Sequence, residues 1–342
     1  MPPRAERDGS MSAVDLSIVV AVRNQRPHNE LFLETLRACS RVPSKLIVVD
    51  NSSSDGSGEL FKRAGACVIA TGGNLCYPES MNRGLAEATG EYIGFLNNDI
   101  VVSPGWDMAL IDALERHRLP VVSPVGIERM PTPHLTRVLQ ERWRAVKRWF
   151  QPVRARDDLR AAVQMMYGTW EVFCERIRTQ FADRLVPGIV GSCVVMRRSL
   201  MLALGGWDPR VQAADWDLYL RLNRHVRTPG ELAPPMIAAW VYAHHYVQAT
   251  RLAERATFTC THPTLGVEEK WGGAAIAHSF FDPSLLSPRP RLHRAPLAYL
   301  RNRARRLVIE GSRAVALARI AVFGLPSPQA LLAEVASEAA LS

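Results

Sequence analysis

The first third of the chain alternates short apolar runs with segments of helical spacing. Leu16–Val22 (LSIVVAV) is continuous, apolar and rich in β-branched residues, the pattern of a strand buried on both faces. It ends in Arg23-Asn24-Gln25-Arg26-Pro27. His28–Ser40 then sets Leu31, Leu33, Leu36 and Cys39 partly on one helical face. Lys45–Val49 predicts a second strand ending at Asp50, and Asn51–Ser57 a turn and helix cap. Further on, Gly58–Ala64 predicts a short helix, Ala66–Ala70 a strand, Thr71–Asn74 a loop and Ser80–Thr89 a helix stopped by Gly90. Tyr92–Leu96 is a fourth buried strand. It runs into Asn97-Asn98-Asp99, then apolar Ile100–Val102 and the break Ser103-Pro104-Gly105. This alternation predicts an α/β fold with a mostly parallel central sheet and right-handed crossovers.

Beyond it, 105–118 has helical character and Val121-Val122 that of a short strand. Residues 127–187 change texture, becoming rich in Arg, Trp and Met. Two helical stretches are predicted there, at about 135–150 and 158–182. The first interleaves Arg137, Arg142, Arg144, Lys147 and Arg148 with Leu139, Trp143, Val146, Trp149 and Phe150. Such a helix either lies against an anionic partner or is a solvated face over an apolar stripe. Ile189–Met196 predicts a strand, Arg197–Leu204 a short helix, and Gly205–Pro209 a turn. Asp215 and Asp217 open the next helix, and apolar Ile237–Val241 leads into His244-His245. Adjacent residues of a strand face opposite ways, so one His of the pair faces any site.

The chain has 342 residues and a net charge of +9, which favours anionic partners such as phosphates or an anionic membrane surface. Six Cys without a C-x-x-C pair indicate neither a zinc ribbon nor a disulfide scaffold, and suggest reduced thiols in a cytoplasmic protein. No apolar run reaches the roughly 18–20 residues that span a bilayer. The start lacks the apolar core of a signal peptide, and Met11 is a candidate start. Pro- and Arg-rich 282–295 read as a linker. Leu297–Leu325 is a basic helical pattern suited to a peripheral membrane contact, an oligomer contact or packing on the domain. The expected layout is a polar terminus over 1–14, one domain over 15–280 and a linker with a basic helical extension over 281–342. The domain comprises a nucleotide-binding half over 15–104, a basic helical insertion over 127–187 and an acceptor half over 188–280.

Candidate chemistry gathers at strand ends. Amides and a carboxylate at Asn97-Asn98-Asp99 place oxygen ligands at the carboxyl edge of a sheet, where open α/β sheets bind ligands. Oxygen donors suit Mg²⁺ or Mn²⁺, and such an ion can hold a diphosphate. Asp50 can accept hydrogen bonds from a base or a ribose, or cap its own turn. Asp215 and Asp217 either cap a helix or do acid–base work. No G-x-G-x-x-G follows the first strand, which argues against a dinucleotide-binding domain.

The ordered motifs resemble family 2 glycosyltransferases of the inverting, GT-A type. Val48-Val-Asp-Asn-Ser-Ser-Ser-Asp-Gly56 resembles the family's V-V-D-N-x-S-x-D-G. Gly73–Gly84 resembles its N-x-G-(F/Y)-(A/S) loop, with Cys76 in place of Gly. Phe95-Leu-Asn-Asn-Asp99 resembles the D-x-D motif, with Asn97 at its first position. Gly205-Gly-Trp-Asp208, Ala214-Asp-Trp-Asp-Leu218 and Lys270-Trp-Gly272 resemble G-G-(F/W)-D, E-D-x-D-L and K-W-G. The resemblance spans about Leu16 to Gly273, apart from 127–187. It implies a Rossmann-like GT-A domain. It also implies transfer of a sugar from a UDP- or dTDP-sugar to a hydroxyl of a glycan or lipid-linked acceptor in bacterial surface glycan synthesis, with Mn²⁺ or Mg²⁺ as cofactor. Asp215 would be the base. Val22, Asn24, Asp50, Asn51, Asn74, Asn82 and Asn98 would line the donor nucleotide site. Trp207, Trp216 and Asp217 would lie on the acceptor side. Asp99 and Asn97, with His244 or His245, would hold the metal. No nucleic-acid partner is expected, and the expected location is cytoplasmic, with peripheral contact at the inner face of the membrane as an option. Two rivals are a nucleotidyltransferase, for which no Gly-rich basic phosphate loop follows Val22, and a non-catalytic nucleotide-sugar-binding or scaffold protein.

Overall fold

The computed structural model describes residues 15–226, 233–247, 257–259, 262–272 and 324–340, with isolated helical positions between 300 and 320. The first half follows the apolar pattern closely. Strand β1 is Leu16–Val22, helix α1 Arg26–Cys39, β2 Ser44–Asp50, α2 Ser57–Arg63, β3 Cys67–Ala70, α3 Tyr77–Glu87 and β4 Tyr92–Asn97. Next come β5 (Ile100–Val102), α4 (Trp106–Arg116) and β6 (Val121–Val125). The insertion folds as α5 (Pro133–Trp149), α6 (Arg156–Tyr167) and α7 (Trp170–Gln180). It leads through β7 (Leu185–Pro187) to β8 (Cys193–Arg197) and α8 (Arg198–Ala203). Helix α9 (Ala214–Val226), β9 (Met236–His245), α10 (Val267–Trp271) and α11 (Pro328–Ala340) complete the described elements.

The sheet runs β3-β2-β1-β4-β8-β6-β9-β5, with β7 beside β9. Strands β1 to β4 are mutually parallel, so their carboxyl ends share one edge. The second half is mixed: β8 is antiparallel to β4 and β6, and β5 and β7 are antiparallel to β9. One apolar layer packs α1 and α4 on a sheet face, and another packs α3 and α9 on the opposite face. A third seats α5, α6, α7 and α11 on β9.

Three expectations change. The helical stretch expected over 158–182 is two helices, because Gly168 takes a left-handed φ of 71° and closes α6. The strand expected from Ile189 starts only at Cys193. Residues before it bend away: Val190 N donates to Ser123 Oγ, and Ser192 O accepts from Asn97 N. The basic face expected on α5 is partly internal. Arg142 is buried and donates to Met165 O and Met166 O at 2.6 Å each, the end carbonyls of α6. Of the basic pattern over 297–325, most positions lie outside the described residues, as do 1–14 and the linker at 282–295.

Helix α3 crosses β1 closely at Gly84, where an added Cβ would stand 2.1 Å from a methyl of buried Val19. A β-branched side chain in a full core cannot yield. Gly84→Ala is expected to destabilise despite alanine's helix preference of about 1 kcal/mol, because overpacking costs about 1–3 kcal/mol. Equilibrium urea unfolding measures the shift, and a midpoint equal to or above wild type would show that this contact has slack.

Candidate functional site

The parallel strands bring Val22, Asp50 and Asn97 to one edge, and the loops beyond them are tied together by amides. Asn24 and Gln25 both adopt left-handed backbone, with φ of 52° and 66°. That conformation costs energy for residues other than Gly, and it is held here by several bonds. Asn24 Oδ1 accepts from Ser54 N (2.7 Å), Asn24 N donates to Ser53 Oγ (2.8 Å), and Asn29 Nδ2 donates to Asn24 O (2.8 Å). Asp55 fastens the same loop through Arg26 N and Ser57 N. Asp50 accepts from Ser53 N at 2.9 Å, and its other oxygen lies over Gly58, where a Cβ would approach to 2.5 Å.

Several residues expected at the donor site are held by the protein itself. Asn51 Nδ2 donates to Ser80 Oγ, and Asn51 N to Val22 O. Asn98 is buried and donates to Asn29 Oδ1 at 2.7 Å. Asn74 Nδ2 donates to Thr257 O. Asn82 grips the backbone of Trp207 from both sides, accepting from its N–H and donating to its carbonyl at 2.8 Å each. The turn needs glycine there: Gly206 has φ 77°, and a Cβ would meet Asn82 at 2.6 Å. Trp207 is buried edge-on against Phe95 and Tyr77, so it supports the site from below.

At the end of β4, Asp99 meets β9. His245 Nε2 lies 3.1 Å from an Asp99 oxygen, and Asn97 Nδ2 lies 3.3 Å from the same nitrogen. His245 Nδ1 contacts Glu128, which follows β6. Burial alone would lower the imidazole's pKa, but the two carboxylates of Asp99 and Glu128 overcome this and raise it well above its ordinary value. His244 takes the other face. It is fully buried, bonds Tyr167 through Nδ1 at 2.8 Å, and packs edge-on against Trp143. Burial pushes its pKa down to about 3, so it stays neutral and serves the helical layer. Of the two candidates only His245 reaches Asp99. Among the described residues no three His, Cys, Asp or Glu groups converge on one ion. His245 stands between its two carboxylates, each nitrogen facing a different one.

The two carboxylates opening α9 have opposite surroundings. Asp217 is buried and pairs with Lys270 Nζ (2.6 Å), Trp271 Nε1 (2.8 Å) and Arg221 Nε (3.0 Å). It locks α10 to α9, and Lys270 reaches on to Asp208 at 2.7 Å. Asp215 faces a different way. One of its oxygens lies over Gly191, where a Cβ would come within 2.4 Å, and among the described residues its carboxylate bonds the amides of its own helix start. Burial raises its pKa, and those amides offset part of that shift. Trp216, between them, is half-buried and packs with the α9–α10 layer.

Sequence reasoning missed Glu128, Lys147 and Gly191. Lys147 Nζ donates to Tyr246 O and Val247 O at 3.2 and 2.9 Å, and feels the charge of Asp99. Neither Glu128 nor Lys147 sits in a strand-end motif. A Gly-Ser pair inside an apolar run was the available signal for Gly191, since a strand glycine marks close approach of another group.

A family model described as Glycosyl transferase family 2 matches residues 17–205. An N-acetylglucosaminyl-diphospho-decaprenol L-rhamnosyltransferase of Mycobacterium tuberculosis is 26% identical over 228 residues, covering 61% of this chain and 70% of that protein. The mannosyltransferase PcManGT from Pyrobaculum calidifontis, solved with GDP-Man and Mn²⁺, superposes with a TM-score of 0.44. It is 17% identical, over 95% of this chain and 86% of that one. S. aureus TarS 1-349 in complex with UDP-GlcNAc superposes with a TM-score of 0.42 at 11% identity, over 80% and 69%.

The contact of Glu128 with the far nitrogen of His245 should orient the ring toward Asp99. Carboxylate partners of this kind are worth roughly 10–100-fold in metal affinity. Glu128→Gln is therefore expected to weaken Mn²⁺ binding by about tenfold or more, read by calorimetry in the presence of UDP. Unchanged affinity would show that Glu128 does not position the ring.

Proposed function

The chain belongs to glycosyl transferase family 2 and is a glycosyltransferase, and we propose that it moves a sugar, with inversion, from a UDP- or dTDP-sugar to a hydroxyl of a lipid-linked glycan acceptor. The observation that carries this reading is the half-buried carboxylate of Asp215, raised in pKa and with no cationic partner among the described residues, on the same chain as Asp99 and His245 in contact. The rhamnosyltransferase relative acts, by its name, on a lipid-diphosphate-linked N-acetylglucosamine, which supports a lipid-linked acceptor. No described helix is long and apolar enough to cross a membrane. Peripheral attachment at the inner face, where such acceptors are met, is part of the proposal.

In this mechanism Asp50 and Asn24 border the nucleotide at the ends of β1 and β2. The acceptor hydroxyl lies against Asp215, which takes its proton as the oxygen attacks the anomeric carbon. The bond from that carbon to the diphosphate breaks, and the nucleoside diphosphate leaves. Asp99 and His245, with Asn97 beside them, fit a divalent cation. One carboxylate and one imidazole leave positions for phosphate oxygens, and such O/N donors suit Mn²⁺. The ion would supply electrostatic stabilisation of the departing diphosphate. Asp217 holds the α9–α10 corner and transfers no proton.

Asp215→Asn separates base from scaffold. Turnover should fall by about 10²–10⁴-fold, while Mn²⁺-dependent thermal stabilisation by the donor nucleotide persists. The wild-type carboxyl has a raised folded pKa, so its contribution to stability is present at low pH and lost as pH rises through that pKa. At neutral pH the variant should therefore be as stable as wild type or more so. On the activity side, kcat/KM should fall as pH drops through the same raised pKa, above the ordinary carboxylate range. Retained turnover in Asp215→Asn would remove Asp215 from the mechanism.

A further inference from the structure

Beside the reaction centre, the insertion encloses a second cavity. It has a volume of ≈ 560 Å³, within the roughly 300–1,000 Å³ typical of small-molecule sites. Its walls come from the start of α1, the carboxyl end of α5, the loop into α6, and Tyr246 after β9. Trp143, Phe150, Val153 and Tyr246 make it apolar, and among the described residues no carboxylate lines it. Two basic groups enter this apolar lining. His28 is 5% exposed, and its Nδ1 has no hydrogen-bond partner. An unpaired buried nitrogen is costly and calls for a ligand acceptor or a bound water. Lys147 spends two N–H donors on Tyr246 O and Val247 O, which leaves a third. At the rim, Trp149 is 69% exposed, one residue from the wall residue Phe150 and next to Arg148. An exposed Trp flanked by cations is the arrangement that settles at a membrane interface.

We propose that this cavity holds the prenyl diphosphate end of the acceptor, with the apolar chain against Trp143, Phe150 and Val153 and its phosphate on Lys147 and His28. The proposal rests on the lipid-linked reading of the acceptor above and goes on to say where the lipid binds. The lysine cation and the unpartnered imidazole nitrogen decide the class of ligand. An uncharged lipid would leave the remaining lysine N–H and His28 Nδ1 unmatched. A nucleotide would have to leave the Asp50 end of the sheet. The lysine also lies within electrostatic reach of Asp99, so an anion held there stands next to the site of transfer.

Farnesyl diphosphate is a soluble probe. Calorimetry on the full chain without added metal would compare it with farnesol, inorganic diphosphate and UDP. Farnesyl diphosphate should bind at least tenfold more tightly than farnesol or diphosphate, and UDP should not displace it. Val153→Trp, which fills the cavity from a half-buried position, should weaken it at least tenfold while leaving Mn²⁺-dependent UDP binding unchanged. Lys147→Met should weaken farnesyl diphosphate to the level of farnesol, and it serves as the second test should Val153→Trp fold poorly. Undiminished binding in either folded variant, displacement by UDP, or no binding at all would overturn the proposal. Loss of metal-dependent UDP binding in the wild type would instead count against the glycosyltransfer mechanism, so the two failures are distinct.

Discussion

The register between β5 and β9 decides what the rest of this protein can do. Ile100 pairs with His245 and Val101 with His244, and Tyr246 N donates to Asp99 O at 2.9 Å. Side chains alternate across a strand, so a slip of one residue would exchange the two histidines. His245 would enter an aromatic layer of Trp143, Tyr167 and Tyr246, and its contacts with two carboxylates would be lost. The pairing is short and cannot enforce itself. It is enforced by what each face buries: Tyr242, His244 and Tyr246 side by side under the helical insertion, and His245 against Asp99 and Glu128. The insertion is thus a structural requirement of the site, because its apolar burial fixes the strand that delivers His245.

The same logic explains the asparagines at the sheet edge. Asn29, Asn51 and Asn98 are buried, and each bonds a polar group of another segment. A satisfied buried amide adds only about 1 kcal/mol, but an orphaned one costs about 1–3 kcal/mol. Loops that could pair only in this arrangement are therefore selected against others. The motif asparagines that a ligand-centred reading places on a nucleotide also tie neighbouring segments to one another.

That distinction marks how much was legible in the sequence. Strands β1 to β4 and their helices were readable because their signals are local: apolar runs of strand length, helical spacing and glycine stops. The edge carrying Asn24, Asp50 and Asp99 followed from strand direction alone. The split at Gly168, strand β7 and the late start of β8 were not readable, because they depend on what lies across from them. Gly191 looks like a strand residue until Asp215 is placed beside it. Glu128 and Lys147 come from segments without a motif, and only the packing of the insertion brings them to Asp99. Arg142 and Lys147 read by composition as part of a basic face, against an anionic partner or solvated, yet both turn inward to carbonyls at helix and strand ends.

Asp215 and Asp217 show why residue type could not separate a chemical group from a structural one. They are two apart on one helix, and residues at that spacing do not face each other. Asp217 faces Lys270, Arg221 and Trp271, so its charge is matched and its removal would strand two cations. Asp215 lies against Gly191, and among the described residues nothing cationic offsets the loss of water around it. A group kept in that state is a poor choice for stability, since Asn would fill the same volume without the charge. A carboxylate made more basic by burial is suited to taking a proton from a hydroxyl, the role proposed for Asp215. Placing the paired carboxylate beside the unpaired one keeps the helix start rigid while its neighbour bears that cost.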